Sequence, residues 1–265
     1  MPEQQALSFW QHLDDLRSVL FRIVSVILVA AIAAFCLMPM LFDNVLMAAC
    51  HPDFISYRAF DAAAAACGLP PMGSFSIDII STELTSQLMV QLSASCWTAF
   101  LVSFPIIIYL LWGFVEPALY PDEKKGIRKA FIFGNLMFYV GVAAAYFLVF
   151  PLTVRFLAEF TLSDSIRPMV TLDSYVEYFF TMMLIMGAVF ELPLLAWLLG
   201  NIGILSRGFF STYRRHAIVA ILIIAAFITP TGDPFSLFIV FTPIYLLWEL
   251  SASLVPATSS NHENS

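Results

Sequence analysis

The chain has 265 residues, of which 60% are hydrophobic and 12% are charged, and its formal net charge is -7. A soluble domain is nearer half apolar and a quarter charged, and no soluble fold of this length hides so much apolar surface. The composition therefore excludes an ordinary soluble protein and predicts an all-α integral membrane protein. The net charge says little about nucleic acid, because the charged residues are sorted by side of the membrane, and we expect no nucleic-acid partner.

Six apolar runs follow one another along the chain, at about 20–42, 88–115, 130–150, 179–200, 217–228 and 235–250. A helix needs roughly 20 residues to cross a hydrocarbon core of ~30 Å. The first four runs are long enough and the last two are short. We predict six spans, the last two short, with a thinned bilayer beside that pair. They form one transmembrane domain, 1–255, followed by a polar tail, 256–265.

The segment before the first run predicts a short amphipathic helix on the inner membrane surface that continues into the span. Phe9, Leu13, Leu16 and Leu20 recur at helical spacing. No basic n-region precedes the apolar run and no small-residue cleavage site follows it. We therefore expect a retained span and not a cleaved signal peptide.

Lysine and arginine predict that both termini lie in the cytoplasm, because basic residues favour that side of the membrane. With the N-terminus inside, the outer loops carry three basic residues, namely Arg58, Arg155 and Arg167. The inner segments carry nine, namely Arg17, Arg22, Lys124, Lys125, Arg128, Lys129, Arg207, Arg214 and Arg215.

The first outer loop, about 43–87, is long and contains Cys50 and Cys67. Either the two thiols stay free or they form a disulfide, which would contribute roughly 3 kcal/mol for a loop of that length. The cysteines and histidines follow no metal-ligand spacing. No catalytic or phosphate-binding motif is present. The sequence therefore predicts no enzyme, no metal and no cofactor.

Two acidic positions are candidates for function. Glu191 stands deep in the fourth run, where a carboxylate costs roughly 2.5–3.5 kcal/mol on insertion scales. It is either a protonated group bonded inside the bundle or a polar contact for a partner helix. Glu123, with Asp122, precedes Lys124 and Lys125 in an inner loop. That loop is either a solvated charge run or a carboxylate site for a paired-arginine peptide.

Prolines punctuate the spans, and each removes a backbone donor. We expect helix kinks or turns at Pro105, Pro151, Pro193 and Asp233, the last within the turn 229–234. A repeatedly kinked bundle is expected to be concave.

The ordered motifs resemble the TatC family, the polytopic subunit of the twin-arginine protein translocase, from about His12 to Glu249. The segment from His12 to Arg17 is similar to the family's HLxELR motif. Further matches are the proline-rich exit of the second span, the loop with Glu123, the segment Phe190–Pro193, and Arg214-Arg215. The chain departs from the family in having Asp15 for the usual glutamate, Leu110 for a frequent glutamine, and a longer first outer loop.

The resemblance implies a glove-like receptor in the bacterial inner membrane that binds twin-arginine signal peptides of folded precursors. It also implies transport driven by the proton-motive force, single-span TatA/TatB-type partners, contact with membrane lipid, and self-association. We expect Glu123 and Asp15 to contact the arginines. The expected recognition site comprises Asp15, Arg17, Phe114, Leu119, Tyr120, Glu123 and Lys125.

Two other functions remain open from the residues. One is a proton-coupled small-solute transporter that uses Glu191, although no matching halves are visible in the chain. The other is an intramembrane enzyme, which the missing catalytic constellation disfavours.

Overall fold

The structure, a computed structural model, describes residues 9–66, 68, 77, 79–116, 121–160, 169–201, 204–229 and 233–255, and in residues 9–12, 115 and 121–127 the backbone alone. These ranges are almost entirely helical, as the sequence predicts. The helices are α1 (Phe9–Leu41), α2 (Ile55–Ala66), α3 (Ser86–Val115), α4 (Pro121–Ala144), α5 (Phe150–Glu159), α6 (Leu172–Phe190), α7 (Leu192–Asn201), α8 (Arg207–Thr212), α9 (Arg214–Ile228) and α10 (Pro234–Leu254). Two short parallel strands, β1 (Ile79–Ile80) and β2 (Val170–Thr171), pair with each other.

Five helical segments of the described chain are long and apolar enough to cross a membrane, namely Leu13–Ala66, Ser86–Phe114, Arg128–Glu159, Leu172–Asn201 and Pro234–Leu254. They include the first four predicted spans and the last one. Helix α9 contains the remaining predicted span, 217–228, and has 15 residues, or about 22 Å at ~1.5 Å per residue. The count of six spans, their orientation and the thinned bilayer stay predictions.

One expectation about length is wrong. Helix α10 has 21 residues, about 31 Å at ~1.5 Å per residue, so only α9 of the last two helices is short. Asp233 caps the start of α10 by accepting a hydrogen bond from the Ser236 amide at 2.8 Å. The helix continues past Leu250, and the hydroxyl groups of Ser251 and Ser253 are satisfied there by donating back to carbonyls of the preceding turn. The apolar run ended at these serines, but the helix does not.

The predicted kink positions differ in what they do. Pro105 lies inside α3, which stays one helix. Pro151 begins α5 directly after a π-helical turn, Ala145–Val149. Pro193 opens α7 after a break at Glu191. A proline cannot donate to the carbonyl of the preceding turn, which accounts for the break between α6 and α7.

The chain divides into two compact units, one within Met1–Met38 and Gln91–Asn135 and the other within Pro39–Val90 and Leu136–Ser265. The single domain, the concave shape and the tail stay predictions. In the first unit, the Gln91 side chain donates to the Phe35 carbonyl at 3.2 Å. The rings of Trp112 and Phe131 meet edge to face, with centroids 5.1 Å apart.

The second unit is built around fully buried Phe150, whose ring packs against Tyr175 and Phe179 with centroids 5.4 and 5.1 Å away. Buried methionines of α6, including Met182 and Met186, extend this core. Helices α4 and α6 approach closely in this unit. A Cβ at Gly141 would lie 2.5 Å from the Met186 carbonyl oxygen, so only glycine fits there.

Three tyrosines, which we name the tyrosine clasp, bind the irregular segment after α1. This segment is a π-helical turn, Phe42–Leu46, followed by a 3₁₀ turn, Met47–Cys50. The hydroxyl of Tyr146 donates to the Val45 carbonyl at 3.0 Å, that of Tyr175 to Leu46 at 2.6 Å, and that of Tyr57 to Ala49 at 2.9 Å. Irregular backbone away from water needs such partners. The clasp therefore stabilises the irregular segment between α1 and α2.

Candidate functional site

The first unit contains a cavity of about 810 Å³ between α1, α3 and α4, which we name the three-helix cavity. Each helix contributes one face at the spacing of three and four residues that places side chains in a stripe. The cavity is lined by Asp15, Ser18, Val19 and Arg22 of α1, by Pro105, Ile108, Tyr109, Leu110, Trp112, Gly113, Phe114 and Glu116 in and after α3, and by Arg128, Phe131, Ile132 and Asn135 of α4.

The polar and apolar groups of the cavity are ordered along the helices. Asp15 belongs to the second turn of α1, Glu116 directly follows the last residue of α3, and Arg128 belongs to the second turn of α4. These ends carry the cavity's carboxylates. Ile108 and Trp112 lie in the turns of α3 that precede its end. The cavity therefore presents charged groups near these helix ends and apolar groups along α3.

Four charged side chains line this cavity: Asp15, Arg22, Glu116 and Arg128. The ion pairs among the described side chains are Arg58–Asp53, Arg155–Glu159 and Arg214–Glu249, so none of the four is paired within that part of the chain. Asp15, Arg22 and Arg128 are exposed, whereas Glu116 is half-buried. Two carboxylates and two guanidinium groups make the described lining neutral overall, with unpaired groups of both signs.

The structure brings together some of the predicted recognition residues. Asp15 and Phe114 both line the three-helix cavity. Arg17 does not, and its guanidinium carbon lies 5.5 Å from the centre of the Phe21 ring. Glu123 and Lys125 lie near the start of α4, but their side chains are outside the described atoms, and Leu119 and Tyr120 are outside the described residues. The roles of these residues stay proposals.

The sequence motifs did not indicate five residues of this cavity, namely Arg22, Glu116, Arg128, Trp112 and Asn135. Helical spacing could have found three of them, because Asp15, Val19 and Arg22 share one helix face, and so do Arg128 and Asn135.

The other predicted sites lie in the second unit. Glu191 is half-buried at the break between α6 and α7, and its Oε1 atom is buried without a hydrogen-bond partner among the described residues. Its backbone amide donates to the Ala188 carbonyl at 3.1 Å. Cys50 is a buried thiol, whereas Cys67 lies outside the described residues. The disulfide therefore stays a prediction.

The helices define an all-helical, multi-pass membrane protein with a charged cavity. The model of the family described as Sec-independent protein translocase protein (TatC) matches residues 11–243. TatC of Helicobacter pylori strain 26695 is 33% identical over 257 residues, which cover 96% of this chain and 90% of that protein. TatC of Blattabacterium from Periplaneta americana is 31% identical over 256 residues, which cover 94% and 95%.

A crystal structure of the twin-arginine translocase receptor TatC in DDM superposes with a TM-score of 0.73 at 25% identity, over 92% of this chain and 99% of that chain. The chain therefore belongs to the TatC family. It is a component of the Sec-independent protein translocase and a multi-pass protein of the bacterial inner membrane. The family resemblance read from the sequence motifs is confirmed.

Proposed function

We propose that this chain is the receptor of the twin-arginine translocase for the signal peptides of folded precursor proteins. The observation that carries the proposal is the three-helix cavity, whose described lining combines unpaired carboxylates with aromatic and aliphatic groups. A signal peptide with two arginines and an apolar stretch has the complementary chemistry. A crystal structure that superposes on this chain is itself described as a twin-arginine translocase receptor.

Carboxylates suit an arginine pair better than a lysine pair. A guanidinium group presents a planar fork that forms two parallel hydrogen bonds with one carboxylate, whereas an ammonium group is a point charge. Asp15 of α1 takes one guanidinium group, and Glu123, in the first turn of α4, takes the other. Leu119, Tyr120 and Phe114 cover the pair, while Arg17 and Lys125 flank it.

Partial burial is necessary for useful affinity, because exposed ion pairs contribute only ~0–1 kcal/mol. The cavity supplies this burial through Phe114, Trp112 and Phe131. Trp112 is buried in the free protein, so part of the binding surface is already formed. A largely pre-formed site reduces the ordering that the receptor undergoes when the peptide binds.

The partners and the driving force belong to the same proposal. Single-span TatA/TatB-type subunits assemble with the receptor, copies of the receptor associate, and the proton-motive force drives transport. Glu191 contacts the polar flank of a partner helix through its half-buried carboxyl group, which has no partner among the described residues. Family membership favours this function over the solute transporter.

The test is the affinity of purified full-length protein for a twin-arginine signal peptide and a twin-lysine control peptide. Replacing Asp15→Asn or Glu123→Gln removes one ionic hydrogen-bond acceptor, for which we expect roughly tenfold weaker twin-arginine binding, since hydrogen bonds to charged groups contribute ~1.5–3 kcal/mol. The twin-lysine peptide binds more weakly to the wild type. Equal binding of both peptides to the wild type and both variants would place the recognition site elsewhere.

A further inference from the structure

Glu116 is a carboxylate of the three-helix cavity that neither the motifs nor the family resemblance selected. It directly follows α3, which ends at Val115 and has no basic residue in its last turn. The side chain is half-buried and lines the same cavity as Asp15. No ion pair joins it to another described side chain.

This position is unfavourable for a carboxylate in the empty protein. The carbonyl groups at the C-terminus of a helix carry partial negative charge, so a cation is stabilised there and an anion is destabilised. Glu116 therefore adds negative charge at a point where α3 already presents it. Residues that break a local rule of this kind are expected at functional sites. The combined negative potential of Glu116 and the α3 terminus favours a bound cation.

The guanidinium groups of Arg22 and Arg128 determine whether the cavity favours an arginine or a lysine of the peptide. Arg22 and Arg128 balance Asp15 and Glu116 among the described lining residues. An ammonium group gains little from entering a neutral set of charges, because attraction and repulsion nearly cancel. A guanidinium group gains the forked hydrogen bonds in addition to the charge interaction. Repulsive groups of this kind are a common source of specificity.

We propose that Glu116 is a specificity-determining carboxylate of the twin-arginine site, which accepts a forked hydrogen bond from one of the two guanidinium groups, and that Arg128 makes the site selective against lysine. This inference rests on the proposed function, because it assigns further residues to the same site. It adds a carboxylate at the end of α3 to the carboxylates already proposed in α1 and at the start of α4.

The experiment compares Glu116→Gln, Arg128→Gln and a matched control, Asp14→Asn, in full-length protein in detergent. Asp14 is an exposed carboxylate next to Asp15 that does not line the cavity. The Asp14→Asn change removes one negative charge, as Glu116→Gln does, but it does so outside the cavity, beside Asp15 of α1. Fluorescence anisotropy measures binding of four signal peptides that carry Arg-Arg, Arg-Lys, Lys-Arg or Lys-Lys.

We expect Glu116→Gln to weaken twin-arginine binding roughly tenfold, since it removes a charge-assisted hydrogen bond. It weakens only one of the two mixed peptides to a similar extent, which identifies the arginine that Glu116 contacts. Arg128→Gln strengthens twin-lysine binding more than twin-arginine binding. Asp14→Asn changes each affinity less than roughly twofold, as surface charges act weakly through screening.

Unfolding of the variant does not explain such a loss. Removing a negative charge from the end of α3 relieves the helix dipole, so the thermal midpoint of Glu116→Gln is equal to or higher than that of the wild type. If Glu116→Gln binds the twin-arginine peptide with wild-type affinity while Asp15→Asn binds it more weakly, the role of Glu116 is overturned and the receptor function stands. Equal binding of Arg-Arg and Lys-Lys peptides to the wild type would overturn the receptor function itself.

Discussion

The tyrosine clasp shows at the scale of single residues how polar backbone is satisfied in this protein. The π-helical and 3₁₀ turns after α1 leave carbonyl groups without the donors of a regular helix. Tyr57, Tyr146 and Tyr175 come from three separate helical segments and supply hydroxyl donors to this one stretch. Tyr57 also donates to the Pro151 carbonyl at 3.1 Å. The clasp thus joins distant parts of the second unit.

Replacing Tyr175→Phe tests this contribution. The change keeps the ring against Phe150 and removes the hydroxyl that donates to the buried Leu46 carbonyl at 2.6 Å. An unsatisfied buried acceptor costs ~1–3 kcal/mol, so we expect a lower free energy of unfolding by about that amount. The matched control is Tyr213→Phe, because Tyr213 is exposed and its hydroxyl makes no hydrogen bond within the described residues. Equal thermal midpoints of the two variants in detergent would contradict a stabilising role of the Tyr175 hydroxyl.

At the scale of elements, α4 and α6 approach each other closely in the second unit. The contact depends on two glycines, one on each helix. A Cβ at Gly187 would meet the Phe138 ring at 2.6 Å, and one at Gly141 would meet backbone of α6. A flexible side chain can move, but a backbone carbonyl moves only with its helix. Small residues are the usual means by which membrane helices come this close.

Replacing Gly141→Ala therefore destabilises the protein, by ~1–3 kcal/mol as for other overpacked sites. The control is Gly113→Ala on α3, where an added Cβ meets no atom within 4 Å. That variant is expected to gain ~0.5–1 kcal/mol, because alanine loses less backbone entropy than glycine in a helix. Opposite shifts of the thermal midpoint confirm the close approach. An unchanged midpoint for Gly141→Ala contradicts it.

At the scale of the whole molecule, assembly with partner subunits is expected to depend on Glu191. Its carboxyl group lies at the break between α6 and α7 and has one buried oxygen without a described partner. Glu191→Ala removes the polar contact that we propose for a partner helix. We expect roughly two- to tenfold less partner association, from the loss of one hydrogen bond worth ~0.5–1.5 kcal/mol.

The measurement is co-purification of single-span partner subunits, together with export of a folded precursor. Glu177→Ala is the matched control, because Glu177 is an exposed carboxylate of α6, the helix that ends just before Glu191. Normal export and assembly in Glu191→Ala would remove the proposed role. A loss of partner association and export in both variants would indicate a general effect of removing a carboxylate from this region.

The membrane-spanning nature of the chain and most of its helices were determined by the sequence. Hydropathy and basic-residue distribution act locally, so a run such as 88–115 predicts α3 (Ser86–Val115) almost residue for residue. Motifs at the ends of the runs were enough to identify the family. The end of α10 was missed because its serines are polar in sequence, but their hydroxyl groups bond back to the helix.

Only the tertiary structure decided which helix faces meet. Spacing within one helix shows that Asp15 and Arg22 share a face, but not that Glu116 and Arg128 line the same cavity, because those residues lie about a hundred positions further along the chain. The same holds for the Tyr175 hydroxyl and the Leu46 carbonyl, which are 129 residues apart. Contacts at such separations depend on how whole helices pack. A local pattern in the sequence carries no information about that packing.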